Sequence, residues 1–166
     1  MNRSMILLRQ LYLSRTINMG KINISDLMGK SIYIDTNFFI YFFEKHDQYF
    51  RAIESIITSC DNGDIFGYVG DAVISELLVK PLREWRSDIV IQLRSFFARK
   101  NFLTRVSHDA AIFDSAAQLR AQHGMKFIDA LHYATALSGW CEYILTNDYG
   151  FPGTGSLTII SAEDLK

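Results

Sequence analysis

The sequence has little of what secreted, fibrous or membrane proteins depend on. It contains two Cys and two Pro among 166 residues, and neither cysteine has a partner at the spacing of a zinc site or a redox pair. We interpret Cys60 and Cys141 as small apolar core residues of a protein in the reducing cytoplasm. The scarcity of proline leaves the chain open to regular secondary structure, and its length suits one domain.

A net excess of charge is also absent. Lys and Arg number 17 against 18 Asp and Glu, for a net charge of -1, which is not the overall signature of a nucleic-acid-binding protein. Locally, seven basic residues and two acidic residues fall between Lys80 and Arg105. A solvated helix face explains this local excess, and so does a rim that holds phosphate groups.

The sequence has no apolar run that could cross a membrane. The stretch at residues 5–17 is apolar, but Arg9, Gln10 and Arg15 interrupt it. It is too short for a membrane span and lacks the small-residue cleavage site of a signal peptide. We therefore expect an N-terminal extension over residues 1–20, one folded domain over residues 21–166, and no membrane partner.

Apolar residues alternate between strand and helix spacing along the chain. The predicted strands cover residues 31–35, 65–69, 102–106, 143–146 and 157–160, with helices between them. Asp71, Asp88 and Ser107 are expected to cap helices, and the helix after Asp71 should end before Pro81. This alternation predicts an α/β fold with a mainly parallel sheet, in which ligands bind beyond the carboxyl ends of the strands.

Four acidic residues stand where apolar segments meet loops or lie inside apolar helices. Asp35 ends the first strand, Asp148 follows the fourth, Glu76 lies within an apolar helix, and Asp129 lies in the first turn of another. Each also suits an ordinary role as a cap, a helix-dipole partner, a turn residue or a polar helix edge. Buried together, they would repel one another unless a divalent cation with a preference for oxygen ligands joined them.

The four histidines are scattered, and no His or Cys cluster indicates zinc. His132 follows Asp129 by three residues, which puts both on one helix face and lets His132 reach the edge of such a site. The alternative is an ordinary surface histidine or a hydrogen-bonded core histidine.

Four segments resemble the PIN-domain family, and within it the VapC-type toxins of toxin–antitoxin pairs. They are residues 33–41 (YIDTNFFIY), 75–82 (SELLVKPL), 127–137 (FIDALHYATAL) and 145–151 (LTNDYGF). The likeness extends from about residue 21 to the C-terminus in family order, although His132 stands at a position that is often aliphatic. The resemblance implies a three-layer α/β/α fold and a nuclease domain over residues 21–166.

The resemblance also implies the members of an active site. The catalytic acids would be Asp35, Glu76, Asp129 and Asp148. Of these, Asp35, Asp129 and Asp148 are the predicted ligands of one or two Mg²⁺ or Mn²⁺ ions, and Glu76 would orient water or bind the metal through it. The supporting residues would be Thr36, Asn37 and Thr146. Contacts to RNA phosphates are predicted for Lys80, Arg83 and Arg86, with Trp85 as a stacking surface.

The predicted activity is metal-dependent hydrolysis of RNA phosphodiester bonds. A metal ion would lower the pKa of a bound water, hydroxide would attack in line, and the resemblance implies 3′-hydroxyl and 5′-phosphate products. The toxin role implies a VapB-like antitoxin that lays a segment near the acids, and a homodimer in the cytoplasm.

Three alternatives stay open at this point. The first is a PIN nuclease of RNA processing outside toxin–antitoxin systems. The second is a non-catalytic PIN-like module that binds RNA or protein. The third is phosphoryl transfer through an aspartyl intermediate, which is disfavoured because Asn37 stands where a second Asp is expected.

Overall fold

The computed structural model describes residues 22–99, 102–148, 150, 151 and 157–165. Within these residues, five strands alternate with six α-helices and two short 3₁₀ helices. The strands are β1 (Ser31–Ile34), β2 (Phe66–Gly70), β3 (Leu103–Val106), β4 (Tyr143–Leu145) and β5 (Thr158–Ile160). The helices are α1 (Thr36–Phe43), α2 (Phe50–Asn62), α3 (Asp71–Arg83), α4 (Ser87–Phe97), α5 (Ala110–His123) and α6 (Phe127–Ser138). The 3₁₀ helices are Ile24–Leu27 and Ala162–Asp164. The extension predicted over residues 1–20 lies outside the described part.

The strands form one sheet in the order β3-β2-β1-β4-β5, and every neighbouring pair is parallel. The predicted α/β fold with a parallel sheet is confirmed. The chain moves outward from β1 through β2 to β3 and then returns to β4 on the other side of β1. The direction of winding therefore changes between β1 and β4, and the crevice beyond their carboxyl ends is where such sheets bind ligands.

Central strand β1 is buried on both faces, as expected when helices cover a parallel sheet. Ile32, Tyr33 and Ile34 have almost no exposed surface. Helices α1 and α2 pack together, α3 packs on both α1 and α4, and α5 packs on α6. Helix α3 also contacts α6, which brings together two elements that carry predicted acids.

The prediction that the helix after Asp71 ends before Pro81 is wrong. Helix α3 continues through Pro81 to Arg83. Proline lacks one backbone N–H and crowds the preceding turn, but Pro81 lies close to the end of α3, where few hydrogen bonds depend on it. Its side chain is also buried, so packing offsets the loss.

The predicted helix caps are also wrong. Asp71 lies in the first turn of α3, and its carboxylate accepts hydrogen bonds from the Arg105 side chain and a backbone N–H. Asp88 lies inside α4 and pairs with the Arg86 side chain. Helix α5 begins two residues later than expected, because Asp109 supplies the capping carboxylate. In each case a tertiary or neighbouring partner competes with the local preference.

Cys60 and Cys141 are buried and form no disulfide, in agreement with the prediction that they are apolar core residues. Burial raises the pKa of both thiols to about 12. In the part of the chain that the structure describes, no helix combines the length and the apolar character needed to cross a membrane.

Candidate active site

Asp35 occupies the position between β1 and α1, where it caps the helix. Its Oδ1 accepts a hydrogen bond from the Thr36 backbone N–H at 2.7 Å, and its Oδ2 accepts one from the Thr146 hydroxyl at 2.6 Å. The residue is only 4% exposed. Burial raises the pKa of Asp35 above its ordinary value, although the charge of His132 and the two hydrogen bonds oppose this effect. The carboxylate is therefore rigidly held, and its charge is incompletely compensated.

Glu76 reaches the same place from helix α3. Its Oε2 accepts a hydrogen bond from the Thr36 hydroxyl at 2.5 Å and lies 3.0 Å from Nε2 of His132. Burial would raise the pKa of Glu76, but the bonds from His132 and Thr36 outweigh it and hold the pKa below its ordinary value. Glu76 is therefore a stable anion with one oxygen oriented by two donors.

His132 connects these carboxylates to the core of the sheet. Its ring is 3% exposed, Nδ1 lies 2.8 Å from the Tyr33 hydroxyl, and Nε2 lies 3.5 Å from Oδ1 of Asp35. Burial would lower the pKa of His132, but its hydrogen bond to Glu76 and the charge of Asp35 raise it instead. The two carboxylates therefore favour the protonated form of this ring.

Asp129 and Asp148 approach the site from α6 and from the segment after β4. Asp148 is oriented by its own backbone N–H, which donates to the Thr146 hydroxyl at 3.0 Å, and by the Gly150 N–H, which donates to Oδ1 at 2.9 Å. Gly150 lies next to both carboxylates. A Cβ added to it would stand 3.2 Å from Asp148 Oδ1 and 3.2 Å from Asp129 Oδ2, so a side chain there would crowd both. Burial and the nearby Asp148 charge raise the pKa of Asp129, against the attraction of Lys126.

These side chains line one cavity of about 250 Å³ at the change of winding between β1 and β4. The lining residues are Asp35, Thr36, Asn37, Ile40, Glu76, Ile128, Asp129, His132 and Asp148. The structure therefore brings the four predicted carboxylates together, with Thr36 and Asn37 beside them. Thr146 lies behind Asp35, to which its hydroxyl donates.

The family model of the PIN domain matches residues 32–156. The chain belongs to the PIN-domain family. The matched range includes every residue that lines the cavity, so the acidic centre is part of the PIN domain itself. Among curated proteins, none matches the chain significantly.

Solved structures share this PIN fold. VapBC2 from Rickettsia felis, bound to a promoter DNA fragment, is 17% identical with a TM-score of 0.60 and covers 79% of this chain and 98% of its own. A toxin–antitoxin complex from Klebsiella pneumoniae is 17% identical with a TM-score of 0.58, covering 79% and 97%. VapC20 from Mycobacterium tuberculosis, a sarcin-ricin loop cleaving toxin, is 15% identical with a TM-score of 0.56, covering 74% and 91%. At these identities the likeness shows the fold alone.

The donor set of the PIN domain fits a divalent cation. Asp35, Glu76 and His132 each offer one ligand atom, and these atoms lie within 4.8 Å of one another. The cavity also holds Asp129 and Asp148, so four carboxylates and one imidazole line it. Carboxylate oxygens are the ligands that Mg²⁺ and Mn²⁺ prefer.

The basic residues predicted to contact RNA lie outside the cavity of the PIN domain. Lys80 is 3.5 Å from a Glu44 carboxylate oxygen, and Arg86 forms a two-point bond with Asp88 at 3.0 and 2.8 Å. Arg83 makes no ion pair with a described residue, and its helical spacing from Glu76 puts both on one face of α3. Trp85 is 92% exposed. All four residues are exposed, and Arg83 differs from Lys80 and Arg86 in having no acidic partner among the described residues.

The sequence interpretation placed His132 at most at the edge of the site, whereas the structure places it inside. The sequence carries one signal of this position, because the run from Asp129 to Ala136 is apolar except at Asp129, His132 and Thr135. The structure buries every residue of this run. A polar side chain within such a helix needs a hydrogen-bonding partner. The identity of that partner could not be predicted, because Tyr33 and Glu76 come from other elements.

Proposed function

We propose that this PIN domain is a metal-dependent endoribonuclease and the toxin of a toxin–antitoxin pair. The observation that carries the proposal is the convergence of Asp35, Glu76, Asp129 and Asp148 on one cavity at the carboxyl edge of the sheet. Proteins keep unpaired buried carboxylates rarely, because each one costs free energy. Asp35 and Asp129 are buried, and Glu76 and Asp148 are partly buried beside them. A site that gathers four such carboxylates is suited to a cationic ligand.

Each carboxylate has a role that its contacts support. A divalent cation bound here would lower the pKa of a water molecule and stabilise charge on the scissile phosphate. Asp35, with both oxygens hydrogen-bonded, provides the rigid part of the site. Asp129 and Asp148 complete it from the other elements. Glu76 uses Oε2 for its two hydrogen bonds, which leaves Oε1 to orient water.

RNA is the proposed substrate, and an antitoxin the proposed partner. Membership of the PIN family and the fold shared with VapC20, a sarcin-ricin loop cleaving toxin, support the substrate class. The fold shared with two toxin–antitoxin complexes supports the partner. The surplus of negative charge in the cavity suits a basic segment of a VapB-like antitoxin. A homodimer and a cytoplasmic location belong to the same proposal.

An RNA cleavage assay with Mg²⁺ or Mn²⁺, with and without chelator, tests the catalytic part. We expect chelator to abolish cleavage and Asp35→Ala with Asp129→Ala to reduce it at least about 100-fold, since two ligands are lost. The matched control is Asp47→Ala with Asp114→Ala, two exposed acids outside the cavity. Activity retained in the cavity variant would contradict the site assignment. Metal-insensitive RNA binding without cleavage would favour a binding module.

Induced expression in a bacterial host tests the toxin part. We expect the wild-type chain to halt growth and to shorten a defined RNA, and the Asp35→Ala, Asp129→Ala chain to do neither. RNA cleavage in vitro without growth arrest would instead indicate a PIN nuclease of RNA processing.

A further inference from the structure

The cavity contains one imidazole among its carboxylates, and the position of this ring bears on metal choice. Nε2 of His132 lies 3.0 Å from Glu76 Oε2 and 3.5 Å from Asp35 Oδ1. Two ligands bound to one ion at about 2.1 Å stand about 3.0 Å apart at a right angle and about 3.4 Å apart at a tetrahedral angle. A hydrogen bond accounts for the 3.0 Å distance in the absence of an ion, and both distances also fit ligands that share one ion.

The opposite side of the ring is held as the ring of a metal-binding histidine would be. A metal ion that binds Nε2 replaces the proton that this nitrogen otherwise shares with Glu76. The ring then keeps its proton on Nδ1, where a hydrogen-bond acceptor usually fixes the ring. The Tyr33 hydroxyl stands at that place, 2.8 Å from Nδ1. Gly70 packs against this hydroxyl, and a Cβ there would lie 2.8 Å from its oxygen. The sheet therefore orients the imidazole rigidly toward the carboxylates.

We propose that His132 ligates the metal ion together with Asp35 and Glu76, and that this nitrogen ligand makes the site prefer Mn²⁺ over Mg²⁺. Carboxylate oxygens serve both ions, whereas imidazole favours transition metals. Oε2 of Glu76 is the ligating oxygen in this arrangement, and Oε1 stays available to orient water. The inference rests on the proposed function for the location of the metal, and it adds two ligands, Glu76 and His132, and a metal preference.

Pulsed electron paramagnetic resonance of the Mn²⁺-loaded, full-length wild-type protein tests the ligand directly. With ¹⁵N-labelled histidine, a nitrogen bound to Mn²⁺ gives a characteristic hyperfine coupling. We expect this coupling from the wild-type chain and its loss in His132→Asn. Absence of the coupling in a protein that binds Mn²⁺ would overturn the assignment, and this result does not depend on the folding of any variant.

Metal titration tests the preference. The free Mn²⁺ signal measures Mn²⁺ affinity, and competition measures Mg²⁺ affinity. We expect His132→Asn and His132→Leu to weaken Mn²⁺ binding at least about tenfold and Mg²⁺ binding less than about threefold. The control His123→Asn changes an exposed histidine outside the cavity and should alter neither. Equal Mn²⁺ affinity in the wild type and both His132 variants would overturn the proposal.

These measurements contain no RNA, so they separate the two proposals. A histidine coupling in a protein that does not cut RNA would leave the ligand assignment standing and remove the proposed function. Metal-dependent cleavage without the coupling, and with equal use of Mg²⁺ and Mn²⁺, would do the reverse.

Discussion

Asp129 is the carboxylate at which stability and the proposed chemistry conflict. It is 6% exposed, and burial together with the Asp148 charge raises its pKa. Asp129→Asn removes the charge at nearly constant size. Without metal, we therefore expect the variant to be more stable than the wild type by about 0.5–2 kcal/mol. We expect it to be inactive on RNA. Denaturant unfolding in chelator measures the free-energy change. The exposed Asp114→Asn should change it by less than about 0.5 kcal/mol, and a destabilised Asp129→Asn would contradict the argument.

Asp71 links helix α3 to β3 and makes stability depend on pH. Burial opposes its charge, but the Arg105 side chain and the His108 backbone N–H outweigh burial and lower the pKa of this carboxyl. A lowered carboxyl pKa stabilises the fold above the unfolded-state pKa of about 4, and the effect is lost as pH falls through the folded-state value. We therefore expect Asp71→Asn to cost about 0.5–1 kcal/mol at pH 7.

Urea unfolding from pH 7 down to pH 3 measures this difference, which should shrink below about pH 4. Asp88→Asn is the comparison, because its pair with Arg86 is solvated and should contribute less at every pH. A difference between Asp71→Asn and the wild type that is constant with pH would indicate lost packing instead of a lost charge.

The start of helix α5 depends on a cap from Asp109, not from Ser107. Oδ1 of Asp109 accepts a hydrogen bond from the Ile112 backbone N–H at 3.0 Å, whereas Ser107 precedes the helix. We expect Asp109→Ala to lower the free energy of unfolding by about 0.5–2 kcal/mol, the usual value of a helix cap. Ser107→Ala should change it by less than about 0.5 kcal/mol. Chemical denaturation compares them, and equal effects would place the helix start elsewhere.

The whole molecule should become more stable when the proposed metal binds. A ligand that binds only the folded state adds about 2.7 kcal/mol at a concentration 100 times its dissociation constant. For a chain of this size, 1 kcal/mol raises the melting temperature by about 2–4 °C. We expect Mn²⁺ to raise the melting temperature and chelator to reverse the rise. Asp35→Asn with Asp129→Asn should show no rise, and an equal rise in this variant would mean that Mn²⁺ binds elsewhere.

The architecture of the molecule was predictable from local patterns. Alternating strand and helix spacing predicted the parallel α/β sheet, because strands covered by helices on both faces carry short apolar runs. Asp35 and Asp148 follow adjacent strands, so parallel order alone puts them at one edge of the sheet. The boundaries were less predictable. Pro81 stays inside α3 and Asp71 pairs with Arg105, since tertiary contacts outweigh local preferences there.

The arrangement within the cavity depended on the tertiary structure. The hydrogen bond between Tyr33 and His132 joins residues 99 positions apart, and the bond between Thr36 and Glu76 joins residues 40 positions apart. Such contacts are made when α3 and α6 pack on each other and on the sheet, and no local periodicity encodes them. Composition and spacing therefore determined the fold class and the edge at which the acids meet. The docking of helices decided that an imidazole stands among those acids, because it sets which distant side chains share one buried space.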